Sequence, residues 1–233
     1  MQSSMIKLIK PADFISMLNA GFGFIALLLL SFQDVNQEFF IYLSFSFILL
    51  ALLADGLDGI IARRTQKGKL GEYFEAMADM ISMGIAPAFF IFINYQSEIQ
   101  TFSMVWIVGF IIILLCYVFC CSIRLAAFHP LKSETYFMGL PASAATILLI
   151  SCTFIGIELI YIILLLLITS LTMVSSVPYP KPSKKMNVLT TVLILASILI
   201  GYHFNNIMIY LLLICILFYF VGGPLYLMKK SKD

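Results

Sequence analysis

Charge is what this sequence has least of. Only 11% of its 233 residues are Asp, Glu, Lys or Arg, against about a quarter in a soluble globular domain, so a water-facing surface cannot be assembled from it. Histidine is almost absent, with 2 residues, and there is 1 tryptophan. The cysteines (Cys116, Cys120, Cys121, Cys152, Cys215) lie inside apolar runs with no histidine at metal-ligand spacing. That argues against a zinc site and against a disulfide framework. A net charge of +2 and the lack of a basic, aromatic-studded platform exclude nucleic acid as a partner. No long-period repeat and no low-complexity tract is visible.

What fills the chain instead is hydrocarbon, with 62% hydrophobic residues. Several runs reach the roughly 20 residues a helix needs to cross a bilayer. Eight are distinguished, at approximately 13–32, 39–64, 70–94, 101–127, 138–154, 158–177, 186–203 and 206–227. They and their connections use up the sequence, which predicts an all-α fold: a polytopic transmembrane helical bundle forming one membrane-embedded domain over 1–233. Lys7, Lys10 and Pro11 read as the cytoplasmic flank of the first run rather than as part of a cleavable signal.

The basic residues orient the bundle. With the N-terminus in the cytoplasm, an eight-span chain places all 14 Lys and Arg in its inner segments. The outer connections then carry acids such as Asp34, Glu38, Glu98 and Glu158. This is the positive-inside pattern, and an odd number of spans would destroy it. Both termini are therefore expected in the cytoplasm, with the inner charges also meeting anionic lipid headgroups.

Acids inside the spans are the anomaly. Asp55 and Asp58 end an otherwise apolar run, and Glu75 and Asp79 begin the next. Asp55 precedes Arg63 by about 12 Å of helix, so it lies within the membrane on the inner side. A membrane-centre Asp costs roughly 2.5–3.5 kcal/mol, and such residues mark function by default. Residues three or four apart share a helical face, so Asp55 pairs with Asp58 and Glu75 with Asp79. Two antiparallel helices joined by a short basic loop bring the four carboxylates together. Four neighbouring carboxylates need counter-charge, and an all-oxygen ligand set selects Mg²⁺ or Mn²⁺. Gly59, Ala62 and Gly71 lie beside the acids, where small residues admit a nucleotide. Taken singly, each glycine is explained as well by helix packing.

The run Asp55–Asp79 resembles the signature of the CDP-alcohol phosphotransferase (phosphatidyltransferase) family, D-x2-D-G-x2-A-R-x7-8-G-x3-D-x3-D. It supplies Asp55, Asp58, Gly59, Ala62, Arg63, Gly71, Glu75 and Asp79 at the matching positions, with Glu75 standing where the family has a third aspartate. Residues 78–88, the segment Ile123-Arg124-Leu125-Ala126 with Met138-Gly139-Leu140-Pro141, and Met173-Val174-Ser175-Ser176 before Tyr179-Pro180-Lys181 are similar to the membrane-integral phosphatidylserine and archaetidylserine synthase branch. Ala127 and Pro178 replace basic residues of that branch. Asn19 and Gly23 match an N-x3-G element on the first span. The resemblance covers about 12–182, a catalytic core, leaving two additional C-terminal spans at 186–227.

The resemblance implies an enzyme that moves a phosphatidyl or archaetidyl group from a CDP-activated lipid to the hydroxyl of L-serine, releasing CMP. It implies two divalent cations (Mg²⁺ or Mn²⁺) on Asp55, Asp58, Glu75 and Asp79. Gly59, Ala62, Arg63 and Gly71 would face the nucleotide, and Arg124 the acceptor. Asp79 would be the general base, although the residues alone leave open which carboxylate serves. A homodimer in the cell membrane, its active site facing the cytoplasm, is also implied. Within the family, inositol phosphate or glycerol phosphate is the competing acceptor. From another class comes a cation transporter or non-catalytic metal-binding membrane protein, which would also bury acids but would not need the glycines and arginine at signature spacing. His129 and His203 read as interface residues.

Overall fold

The computed structural model describes residues 9–11, 13–32, 36–62, 70–128, 135–202 and 206–230, the side chains of 58–62 and 230 excepted. Nearly all of this is helix, and each of the eight apolar runs contains one. The helices are α1 (Asp13–Leu29), α2 (Gln37–Ala62), α3 (Gly71–Asp79), α4 (Ala86–Asn94), α5 (Gln96–Ile99), α6 (Met104–Ala126), α7 (Ala142–Phe154), α8 (Leu159–Met173), α9 (Lys184–Ile200) and α10 (Ile207–Lys230). Four stretches are long and apolar enough to cross a membrane: Gln37–Leu57, Gly71–Asn94, Met104–Ala126 and Ile207–Lys229. α1, α7 and α8 are shorter apolar helices. The five cysteines are unpaired.

Two departures from the sequence expectation bear on the site. The all-α expectation misses two three-residue strands, β1 (Tyr136–Met138) and β2 (Pro178–Pro180), which pair antiparallel with Phe137 opposite Tyr179. The expected run 138–154 is helical only from Ala142, because Gly139 (φ 74°) turns the chain and Pro141 caps the helix from outside. Gly139 donates to the Val177 carbonyl at 2.8 Å and Leu140 to that of Thr172 at 3.0 Å. A Cβ at residue 139 would sit 2.4 Å from the Met173 carbonyl oxygen, so glycine is required there.

The second departure lies inside the rod Gly71–Asn94. Between α3 and α4, residues Met80–Ile85 widen into a π-helical turn, with the Ala86 N–H reaching the Ile81 carbonyl. Pro87 is the cause. It has no N–H, and its ring presses on the carbonyl four residues back, that of Met83. That carbonyl accepts instead from Tyr117 Oη at 2.7 Å and Thr146 Oγ1 at 3.1 Å.

The rods pack around α7, in which every residue from Ala144 to Thr153 is buried. Phe45 of α2 stacks on Phe154 at 4.8 Å between ring centroids. Tyr42 ties α2 to α9 by donating to the carbonyls of Ser197 (3.0 Å) and Ile198 (2.6 Å). Ser44 donates to the Ala26 carbonyl of α1 at 2.9 Å. α7 stops at Gly156 (φ 77°), where the Ile157 N–H reaches back to the Cys152 carbonyl at 3.1 Å in the manner of a glycine-ended helix. α9 opens with the Ser183 hydroxyl accepting from the Met186 N–H at 3.3 Å. α10 packs against α7, α9 and β2, and Tyr219 donates to the Pro180 carbonyl at 3.1 Å.

Candidate active site

α2 and α3 each deliver carboxylates to one place. Asp55 is half-buried near the end of α2, while Glu75 (half-buried) and Asp79 (8% exposed) stand one turn apart on α3. Their i, i+4 spacing sets both on one face. The Asp79 carboxyl lies close enough to Asp55 and Glu75 to feel the charges of both. Neighbouring carboxylates cannot all stay ionised without counter-charge. From α1, Asn19 Nδ2 donates to Asp79 Oδ1 at 2.8 Å. Asn19 is 1% exposed, and its Oδ1 is a buried acceptor without a hydrogen-bond partner. An orphaned amide oxygen beside three carboxylates is an all-oxygen donor set, and its chemistry fits a hard divalent cation. Among the described residues no three acids, cysteines or histidines converge closely enough to hold a metal by themselves. Asp58, the fourth expected ligand, lies outside the described side chains.

The remaining expected residues divide. Asp58, Gly59 and Ala62 continue the α2 backbone, but their side chains lie outside the described residues, as does Arg63 altogether. Gly71 is buried where α3 begins and does not line the cavity beside the acids. Arg124 does.

That cavity has a volume of about 920 Å³. Asp55, Glu75, Asp79 and Arg124 line it, and the rest of its wall is largely apolar, built from α2, α7, α9 and α10 (Leu53, Ile147, Ile194, Leu195, Leu212, Ile216). Arg124, 8% exposed at the end of α6, also lines a neighbouring pocket of about 200 Å³ with Ser175, Ser176 and Lys181. Its Nε donates to the Leu140 carbonyl at 3.2 Å, and its guanidinium lies 5.8 Å from the Phe128 ring centroid. Lys181 Nζ lies 5.4 Å from the Phe137 ring centroid. Both cations are thus backed by aromatic faces, and the β1–β2 pairing sets them on one pocket. Burial raises the Tyr179 phenol above its ordinary value, so it stays neutral.

Sequence reasoning undervalued three participants. Asn19 was visible as half of an N-x3-G element, but nothing in its spacing named Asp79 as its partner. Lys181 read as an orienting charge, and its place opposite Arg124 depends on the strand pairing. The two C-terminal helices, outside the resemblance, turn out to wall the large cavity.

The chain was compared with known proteins. Residues 10–174 match the model of the CDP-alcohol phosphatidyltransferase family. The chain belongs to that family. Among similar members is a CDP-diacylglycerol–serine O-phosphatidyltransferase of Methanocaldococcus jannaschii, 32% identical over 222 residues, covering 94% of this chain and 95% of that protein. An archaetidylserine synthase of Methanothermobacter thermautotrophicus is 30% identical over 174 residues, 72% of this chain and 69% of that protein. A CDP-diacylglycerol–serine O-phosphatidyltransferase of Saccharomyces cerevisiae is 34% identical over 150 residues, covering 59% of this chain and 51% of its own. The similarity to the Methanocaldococcus protein extends over more of the chain than the family model does, and so takes in part of the α9–α10 region that walls the cavity.

Proposed function

We propose that this chain is a metal-dependent transferase of phospholipid synthesis, moving a phosphatidyl or archaetidyl group from a CDP-activated lipid to the hydroxyl of L-serine. The observation that carries the reading is one cavity with two characters. Three carboxylates and an arginine line it, and the rest of its wall is largely apolar. A water-soluble nucleotide joined to a hydrocarbon tail has this same division.

In this reading each residue has a role. Asp55, Asp58, Glu75 and Asp79, with Asn19 Oδ1 beside them, would hold two divalent cations, Mg²⁺ or Mn²⁺. Bound there, the cations neutralise the diphosphate and the charge developing on CMP. Asp79 takes the proton of the serine hydroxyl, whose oxygen forms a bond to the lipid-side phosphorus while the bond from that phosphorus to CMP breaks. Asn19, donating to Oδ1 of Asp79, orients that carboxyl. Arg124 and Lys181 bind the serine carboxylate in the smaller pocket, with Ser175 and Ser176 beside it. Gly59, Ala62 and Arg63 accommodate the nucleotide, and the α7–α9–α10 side of the cavity holds the lipid chains.

The wider reading is one domain over 1–233, its catalytic core at about 12–182, crossing the cell membrane eight times with both termini and the active site on the cytoplasmic side, and pairing as a homodimer. The basic inner segments support this orientation. It gives cytoplasmic serine and CMP direct access.

The test is CMP release by purified protein from CDP-diacylglycerol and CDP-archaeol with serine, inositol phosphate and glycerol phosphate as acceptors. Serine with Mn²⁺ or Mg²⁺ is expected to release CMP, and EDTA to stop it. A phosphate-bearing acceptor outpacing serine would reassign the substrate. Absence of CMP with every acceptor would remove the enzyme in favour of a metal-binding or transport protein.

A further inference from the structure

The carboxyl of Asp79 is aimed by a turn that is not an α-helix. Asp79 is the last residue before the π-helical segment Met80–Ile85. Beyond that segment α4 is locked in the core, with Phe90 and Ile91 both 0% exposed. One residue more or less in the turn rotates everything before it by about 100° relative to α4. Closing the turn to an ordinary α-helix would therefore swing Asp79 away from Asn19, and Glu75 with it.

Three features keep it open. Pro87 denies the Met83 carbonyl its helical donor. Tyr117 Oη of α6 and Thr146 Oγ1 of α7 then grip that carbonyl from two sides, at 2.7 and 3.1 Å, and lie 3.5 Å from each other. Both side chains are 0% exposed, so no water competes for the bonds. On the opposite side α1 abuts the turn, since a Cβ on Gly23 would stand 3.0 Å from Ser82 Cα. Met83 itself lines the large cavity with Asp79.

We propose that Tyr117 and Thr146 are positioning residues for the transfer reaction, their hydroxyls fixing through the Met83 carbonyl the helical phase at which α3 presents Glu75 and Asp79. This rests on the serine-transfer reading, but its geometric core stands apart from it. Neither residue touches substrate. They act through about one turn of backbone to Asp79 and about two to Glu75.

The experiment compares wild type, the double variant Tyr117→Phe with Thr146→Val, and Thr146→Ser alone, all full-length. Three quantities are read: CMP release per folded molecule, the serine KM, and half-saturation by Mn²⁺ followed by electron paramagnetic resonance without substrate. The double variant is expected to lose about tenfold or more in kcat with serine KM changed less than about twofold, and to need several-fold more Mn²⁺. Thr146→Ser keeps the hydroxyl and restores both. A double variant whose kcat per folded molecule stays within about twofold of wild type overturns the proposal, as does an equal loss in Thr146→Ser, which would trace the effect to side-chain volume. If wild type itself releases no CMP, the transfer reading has failed. The Mn²⁺ titration then decides alone: a weakened variant sustains the positioning role and an unchanged one ends it.

Discussion

Asn19 and Asp79 sit 60 positions apart in the chain yet share a 2.8 Å hydrogen bond in a buried setting. A hydrogen bond to a charged group is worth about 1.5–3 kcal/mol, so Asn19→Leu is expected to lower kcat by roughly 10- to 150-fold, read as CMP release under saturating substrate. An unchanged kcat would mean that Asp79 needs no orienting. Asp79→Asn, nearly the same size, should leave the protein folded and end transfer, and full activity in that variant would assign the base elsewhere. Glu75→Asp shortens the acid by one methylene to the family pattern and should keep or raise turnover; a folded but inactive variant would show a site built around the longer side chain. At this scale much was legible beforehand. Asp55, Glu75 and Asp79 announced themselves because acids inside apolar runs are costly, and the structure brings all three to one cavity. Asn19 did not, because an amide is ordinary in a helix until its partner is known.

Among the elements, the β1–β2 pairing does most to shape the acceptor side. It draws residues 136–138 and 178–180 together and puts Arg124 and Lys181 on one pocket. Gly139 is its pivot. Alanine there would meet the Met173 carbonyl at a positive φ, a conformation costing about 1–3 kcal/mol before any clash is counted. Gly139→Ala is therefore expected to lower the thermal midpoint and raise the serine KM while leaving Mn²⁺ binding near wild type. Loss of Mn²⁺ binding instead would place the hairpin's influence on the acids. The helices were legible because apolar runs of bilayer length leave few alternatives, and all eight contain one. The strands were not, being three residues each and specified by contacts across some 40 positions of chain. The π-helical turn left a trace in the sequence, Pro87 inside a span, but proline alone also predicts a kink, and the choice was made by hydroxyls on α6 and α7.

For the molecule as a whole, the orientation inferred from charge can be tested directly. In protein lacking its native cysteines, Glu98→Cys should react with a membrane-impermeant maleimide added to intact cells, and Lys184→Cys only after permeabilisation. Both reacting from one side would break the eight-crossing reading. α10 packs directly on the segment that precedes residue 182. Gly223 lets it approach β2, where a Cβ would be 3.0 Å from Pro180 Cδ, and Tyr219 holds the Pro180 carbonyl. α6, by contrast, exposes Val105, Trp106, Ile112 and Phe119 along much of its length, the surface of a rod bathed in acyl chains.

α7 is 13 residues long, about 20 Å of helix where the hydrocarbon layer measures about 30 Å. It never has to match that thickness, because neighbouring rods surround it on every side. A shortfall of some 10 Å inside such a sheath leaves a dimple rather than a thinned bilayer. Pro141 and Ala142, where α7 begins, line the large cavity. On the eight-crossing reading, an amino acid dissolved in the cytosol can then sink to the depth where the lipid-borne phosphate lies, and the fatty partner need not climb out to meet it.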